Sequence, residues 1–262
     1  MVKEKALVIL SGGQDSTTCL FWAVNLWGAE NVHAITFNYG QRHAVEMVAA
    51  RQVAMRAGIN THIMVDVSGG ILQSSSPLTD LKAELEQYTD AEQMEQVIGD
   101  RREDTFVPMR NALFLTIAAN RAEAMGIRNI VLGVCQMDNA NYDDCRQVFL
   151  DATEQYINTA LGHDHRGTPR IRLVAPLMLL TKADTVRMAR DLPGCWEALA
   201  YSHTSYDGKY PPTGMNHANV LRADGFEKAG LPDPLVLRAH DDGLMALPDT
   251  ANYDRARAAR VL

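Results

Sequence analysis

The sequence predicts an α/β fold: a doubly wound, mostly parallel sheet with a C-terminal appendage. Three observations carry this. Short apolar runs alternate with segments of helical apolar spacing in the order β-α-β-α-β. The first run is almost continuously apolar, as a strand buried on both faces is. From residue 193 onward, prolines punctuate a mixed, turn-rich tail.

Lys5 to Leu10 is the first strand, bounded by Gly12-Gly13. Ser16 to Trp27 follows as a helix, with Leu20, Ala23, Val24 and Trp27 at helical spacing. Val32 to Phe37 is a second strand, Ala44 to Ala57 a helix stopped by Gly58, and Thr61 to Val67 a third strand. Residues 68 to 105 break the pattern, as either a flexible lid or a solvated surface helix. The alternation then resumes with a helix from Arg110 to Met125, a strand from Asn129 to Gly133 and a helix from Gln147 to Leu161. Ile171 to Ala175 is the last strand. Thr181 to Asp191 is a helix opened by a capping box with Asp184 in place of Glu. The expected division is therefore residues 1–192 as the principal domain and 193–262 as the appended region.

The chain has 262 residues, 47% of them hydrophobic, enough for a sizeable core. Its 25 basic and 32 acidic residues give a net charge of −7. Broad nucleic-acid binding needs a basic surface to displace counterions, so no direct nucleic-acid contact is expected. No apolar run approaches the roughly 18 residues of a spanning helix, and the apolar stretch before Ser11 is short for a signal peptide. A cytoplasmic protein without membrane contact is the expectation. Cys19, Cys135, Cys145 and Cys195 form no C-x-x-C pair and read as reduced, mostly buried thiols.

The chemistry centres on Ser11-Gly12-Gly13-Gln14-Asp15-Ser16, between the first strand and the first helix. Such a junction points successive N–H groups outward, and the helix adds about half a positive charge at that end. The glycines let a phosphate approach closely, and the hydroxyls of Ser11, Ser16 and Thr17 can add donors. Neither G-x-x-x-x-G-K-[ST] nor G-x-G-x-x-G is present. Asp15 stands where the first of those loops has lysine; an acid there either helps hold Mg²⁺ or ties down the turn.

This hexamer resembles the SGGxDS loop of the N-type ATP pyrophosphatases, which cleave ATP between the α and β phosphates and transfer AMP to a substrate oxygen. The resemblance implies an adenine nucleotide alpha hydrolase-like, Rossmann-like fold. It implies an ATP site of Leu10, Ser11, Gly12, Gly13, Gln14, Asp15, Ser16, Thr17, Thr18, Cys19 and Leu20, with Mg²⁺ near Asp15. Further segments narrow it: Phe37-Asn38-Tyr39-Gly40-Gln41-Arg42-His43 with Glu46, Phe106-Val107-Pro108 with Arg110-Asn111, Gly133 and Asp138, Tyr142 with Asp144-Cys145-Arg146, and Pro176-Leu177 with Lys182. Together these resemble the 7-cyano-7-deazaguanine synthase family, QueC, from about residue 6 to residue 235.

That resemblance implies 7-carboxy-7-deazaguanine, ATP and ammonia as substrates. The carboxylate is adenylated, ammonia gives the amide, and a second activation with dehydration gives the nitrile, 7-cyano-7-deazaguanine. The product feeds queuosine in tRNA or related deazaguanines in DNA. It also suggests a homodimer. Arg42, Arg110, Arg146 and Lys182 are candidate cations for the substrate carboxylate or the phosphates, or else surface ion pairs. Asn111, Asp138 and Asp144 suit the donor-rich edge of a guanine-like base, although Asp144 could instead cap the following helix. Tyr39, Gln41, His43 and Tyr142 are expected in the same pocket.

The family carries a four-cysteine zinc site before a Leu-Arg-x-x-Gly segment. That segment is present as Leu221-Arg222-Ala223-Asp224-Gly225, but Ser205, Thr213, Asn216 and Asn219 occupy the cysteine positions. These are poor zinc ligands, so zinc is expected to be absent and local hydrogen bonds to hold the loop. Cys195, His203 and His217 lie nearby without ligand spacing. The departure leaves a second reading open: an enzyme of an antiviral or DNA-modification system that stops at the amide or couples the deazaguanine to a protein amine.

Overall fold

Five parallel strands form one sheet in the computed structural model, which describes residues 4–40, 45–80, 82–137 and 141–260. They are β1 (Ala6–Ile9), β2 (Val32–Asn38), β3 (Thr61–Asp66), β4 (Asn129–Val131) and β5 (Arg172–Val174), ordered β3-β2-β1-β4-β5. Val8 of β1 pairs with Ala34 on one side and Val131 on the other. The chain winds outward from β1 to β3, returns to lay β4 on the other edge of β1, and winds outward again. That reversal opens a crevice at the carboxyl ends of β1 and β4, where open parallel sheets bind ligands.

Because β1 is central, its side chains alternate between two cores. Ala6, Val8 and Leu10 face a layer built from α1 (Gln14–Trp27), α2 (Val45–Arg56) and, further along the chain, α7 (Lys182–Asp191). Leu7 faces α4 (Arg110–Ala124) and α5 (Gln147–Leu161). Burial on both faces explains why the run reads as continuous rather than alternating. The expected doubly wound α/β architecture is present, with element ends shifted by only a few residues. Thr181 caps α7 by accepting from the Asp184 N–H at 3.2 Å, and the two side chains also hydrogen-bond.

Within residues 68–105 lies α3 (Ala91–Ile98), N-capped by Asp90. Met94 and Ile98 are buried with Tyr88 against Val220, so here the chain takes the surface-helix alternative. A short α6 (His163–Arg166) follows α5. The tail holds more helix than its prolines suggest: α8 (Cys195–Leu199), α9 (His217–Ala229), α10 (Pro234–Asp241) and α11 (Asp254–Arg260). Pro234 opens α10 at a position whose N–H has no intrahelical partner in any helix. Leu199 and Phe226 join the core that α1 occupies. Arg222 and Asp233, both buried, meet in a two-pronged pair at 2.6 and 2.9 Å. No helix among the described residues is long and apolar enough to cross a membrane.

Phe226 is fully buried between the tail and the first helices. Phe226→Ala is expected to cost about 3–5 kcal/mol. A urea titration followed by circular dichroism measures this; an unchanged midpoint would mean that the tail does not anchor the core.

Candidate active site

The turn after β1 is shaped by lack of space. Gly12 has φ +88°, and a Cβ there would lie 2.6 Å from the Ala50 nitrogen and 2.7 Å from the Glu46 oxygen. Only glycine fits both the conformation and the gap. Ser16 Oγ donates to the Gly13 carbonyl (3.2 Å), accepts from the Ser11 N–H (3.2 Å) and meets Ser11 Oγ at 3.0 Å. These bonds close the loop on itself. The N-cap of α1, Gly13, supplies no side-chain cap, so the first turn presents its N–H groups to the crevice. The His203 N–H donates to the Gly12 carbonyl at 2.8 Å and seats the tail on the loop.

A cavity of about 310 Å³ runs from this loop across the carboxyl ends of β1, β2 and β4. The end at the loop has Ser11, Gly13, Gln14, Asp15 and Ser16, with Lys182 reaching in from α7. Lys182 Nζ lies 2.8 Å from Asp15 Oδ2, and the lysine side chain is only 9% exposed. The Gln14 side-chain nitrogen is buried with no hydrogen-bond partner among the described residues. The far end is aromatic. Phe37 and Phe114 stack with centroids 4.2 Å apart, and Tyr39 tilts over Phe114 at 5.6 Å. The guanidinium of Arg110 lies 5.8 Å from the centre of the Tyr39 ring. Burial pushes the Tyr39 phenol up to about 12, against the pull of Arg110, so it is a neutral donor near pH 7. Met109, at φ 63°, is the left-handed residue from which α4 starts, setting Arg110 and Asn111 on the cavity wall.

Apart from Gly12, which forms the turn after β1, and Asp144, the sequence-expected residues divide into three groups. Leu10, Ser11, Gly13, Gln14, Asp15, Ser16, Tyr39, Arg110, Asn111, Tyr142, Arg146 and Lys182 line the one cavity. Thr17, Thr18, Cys19 and Leu20 are buried in α1 instead. Thr17 Oγ1 donates to Gly13 O (2.7 Å) and Thr18 Oγ1 to Gln14 O (3.0 Å), so the expected Thr17 donor is spent on its own helix. Gln41, Arg42, His43 and Asp138 lie outside the described residues.

Asp144 is buried, is not on the cavity wall, and does not cap α5, whose N-cap is Arg146. Burial raises its pKa despite Arg110 nearby. Arg146 is an exposed rim residue, 4.0 Å from Asp143. Sequence reasoning missed Glu103 and Thr105. Tyr142 donates to buried Glu103 Oε2 at 3.1 Å, the Thr105 N–H donates to the same oxygen at 2.8 Å, and the Thr105 hydroxyl bonds both. It also missed Phe114 and Tyr206 on the wall, and read His203 and His217 only as metal candidates. These come from distant segments and leave no local signal.

Ser205, Thr213, Asn216 and Asn219 converge, bound to one another and to Asp207. Ser205 Oγ donates to Asp207 Oδ1 and Thr213 Oγ1 to Asp207 Oδ2, each at 2.6 Å. Asn219 Nδ2 donates to Ser205 Oγ at 3.0 Å and Asn216 Nδ2 to the same atom at 3.3 Å. This donor set is hydroxyls and amides around one carboxylate, which does not fit zinc. Among the described residues no three His, Cys, Asp or Glu side chains group to hold a metal.

A family model described as queuosine biosynthesis protein QueC matches residues 5–230. The chain is similar to 7-cyano-7-deazaguanine synthase of Laribacter hongkongensis, 48% identical over 235 residues that cover 90% of this chain and 95% of the relative. Its counterpart in Chromobacterium violaceum is 46% identical over 236 residues, covering 90% and 94%. That of Gloeobacter violaceus is 45% identical over 234 residues, covering 88% and 95%.

Burial would raise the Asp207 carboxyl, but hydrogen bonds from Ser205 and Thr213 outweigh it and hold the carboxyl below the usual range. A depressed folded pKa stabilises above the unfolded value and is lost as pH falls through the folded one. Asp207→Ala is therefore expected to lower stability at pH 7, by about 1–3 kcal/mol. Its deficit should shrink as pH drops through and below the aspartate range. Urea midpoints at several pH values measure this, and a deficit independent of pH would contradict the role of the charge.

Proposed function

The chain belongs to the queuosine biosynthesis protein QueC family, and from that premise we propose that it is an ATP-dependent ligase converting 7-carboxy-7-deazaguanine and ammonia to 7-cyano-7-deazaguanine. The observation that carries the reading is one continuous cavity joining an anion cradle to an aromatic pocket. A carboxylate is a poor electrophile because oxide would have to leave. Its oxygen attacks the α-phosphorus of ATP, pyrophosphate departs, and the acyl-adenylate now has AMP as leaving group. Ammonia displaces AMP to give the amide. The amide oxygen attacks the α-phosphorus of a second ATP, pyrophosphate departs, and loss of AMP with the amide oxygen, together with both protons of the nitrogen, leaves the nitrile.

Each end of the cavity has a part in this. The N–H groups after Gly13 and the positive end of α1 hold the departing pyrophosphate, and Lys182 offsets its charge. Phe37, Tyr39 and Phe114 form an aromatic wall against which a planar heterocycle can pack, while Arg110 and Asn111 offer donors to its carboxylate. Asp15, a carboxylate at the phosphate cradle, fits Mg²⁺, which commonly takes one or two carboxylates plus phosphate oxygens and waters. When bound, Mg²⁺ neutralises phosphate charge. The hydrogen bonds centred on Asp207 take the structural part that zinc has where cysteines are present, so no zinc enters the reaction.

Incubation with 7-carboxy-7-deazaguanine, Mg-ATP and ammonium is expected to yield the nitrile by mass spectrometry, together with AMP and pyrophosphate. Unchanged acid without AMP rejects the proposal, and accumulation of the amide alone points to the shorter reaction. Ser16→Ala and Asp15→Ala should slow AMP release at least about 100-fold while the chain stays folded.

Elemental analysis of the purified protein is expected to find substoichiometric zinc, with an unfolding midpoint unmoved by EDTA. One zinc per chain, lost together with the fold on chelation, is the contrary result.

A further inference from the structure

We propose that Gly225 is a positioning residue for Lys182: the side chain missing from α9 leaves the channel through which the lysine reaches Asp15 and the anion end of the cavity. Gly225 is buried inside a helix, and its φ is not among the positive ones. Its backbone conformation is therefore open to any residue. Glycine there makes α9 less stable than alanine would. The reason for glycine lies in packing.

A Cβ at position 225 would overlap Lys182 Cγ, come within 3.1 Å of Lys182 Cβ and approach the Lys182 carbonyl carbon to 3.4 Å. These atoms are the root of the lysine, not its mobile tip, so it cannot swing aside while keeping its course. Neither helix is placed to yield. Three residues before Gly225, Arg222 is held by Asp233, by Ser202 Oγ at 3.0 Å and by Thr204 Oγ1 at 2.7 Å. One residue after it, Phe226 is locked in the core. Lys182 itself is the first residue of α7, fixed by the Thr181 cap. A methyl group at 225 must therefore be absorbed by Lys182, which withdraws Nζ from Asp15. The Leu221-Arg222-Ala223-Asp224-Gly225 segment then has a physical role: Arg222 pins the helix and Gly225 makes room for the lysine.

Only the kinetic arm of the test rests on the proposed ligase activity. Gly225→Ala and Lys182→Ala, singly and combined, form a cycle read by thermal unfolding and by AMP release. Gly225→Ala alone is expected to lower the unfolding midpoint. In the Lys182→Ala background the same change should leave the midpoint unaltered or raise it, because the overlapping Cγ is gone and helix propensity improves. Gly225→Ala alone should lower kcat for AMP release roughly 100-fold at little-changed KM, since misplacing a group by about 1 Å can have that effect. In the Lys182→Ala background it should cause no further loss. Equal midpoint shifts in the two backgrounds, or wild-type kcat for Gly225→Ala, overturn the proposal. If Gly225→Ala does not fold, recovery of a folded chain in the double variant supports it, and a double variant that also fails to fold refutes it. A wild-type chain that releases no AMP rejects the ligase reading, while the thermal cycle still decides the role of Gly225.

Discussion

The cavity is organised around the absence of a side chain at Gly12. That residue sits in a left-handed turn with the backbone of α2 so close that no Cβ fits. From the other side the His203 N–H holds its carbonyl. Pressed between two elements, the turn cannot relax, and it fixes the direction in which α1 starts. The uncapped first turn of that helix is then aimed into the crevice where the sheet reverses its winding. A positive end held in this way needs no reorganisation when an anion arrives, which is what makes such a site effective.

The C-terminal region completes this arrangement rather than standing apart from it. Its Phe226 shares a core with α1, its His203 segment clamps the loop, and Thr204, Tyr206, His217 and Arg222 form part of the cavity wall. Residues 205–219 are held by a carboxylate that gathers hydroxyl and amide donors. Such a network is fully connected, and a connected polar cluster can order a loop that lacks an apolar core of its own. Glu103 serves similarly under Tyr142, where one buried carboxylate oxygen collects three donors.

Legibility from sequence follows the range of the interaction. The apolar run Lys5 to Leu10, the glycine pair and serines of the loop, and the Thr181 cap each depend on neighbours within a few residues. Each was readable. In the tail the prolines marked the turns, but α8 to α10 left no comparable local signal, because the packing that stabilises them is not local. Thr17 was read as a phosphate donor because its hydroxyl lies in the loop sequence. In the helix it turns back to the Gly13 carbonyl. Tyr206, Phe114 and the pair Glu103 and Thr105 carried no sequence signal, since their importance is mutual and they come from different parts of the chain.

By itself the sequence determined the alternation that makes a parallel sheet, the glycine and serine turn from Ser11 to Ser16 at the head of the first helix, and the hydroxyl and amide side chains at positions 205, 213, 216 and 219. These follow from residue type and short spacing, which set backbone conformation and donor chemistry directly. Only the tertiary structure decided that Lys182 meets Asp15, 167 residues away in the chain. Nor could spacing reveal that Ser205, Thr213, Asn216 and Asn219 close around Asp207, or that Gly225 lies under the lysine stem. Such contacts depend on how helices cross and on which atoms compete for one volume.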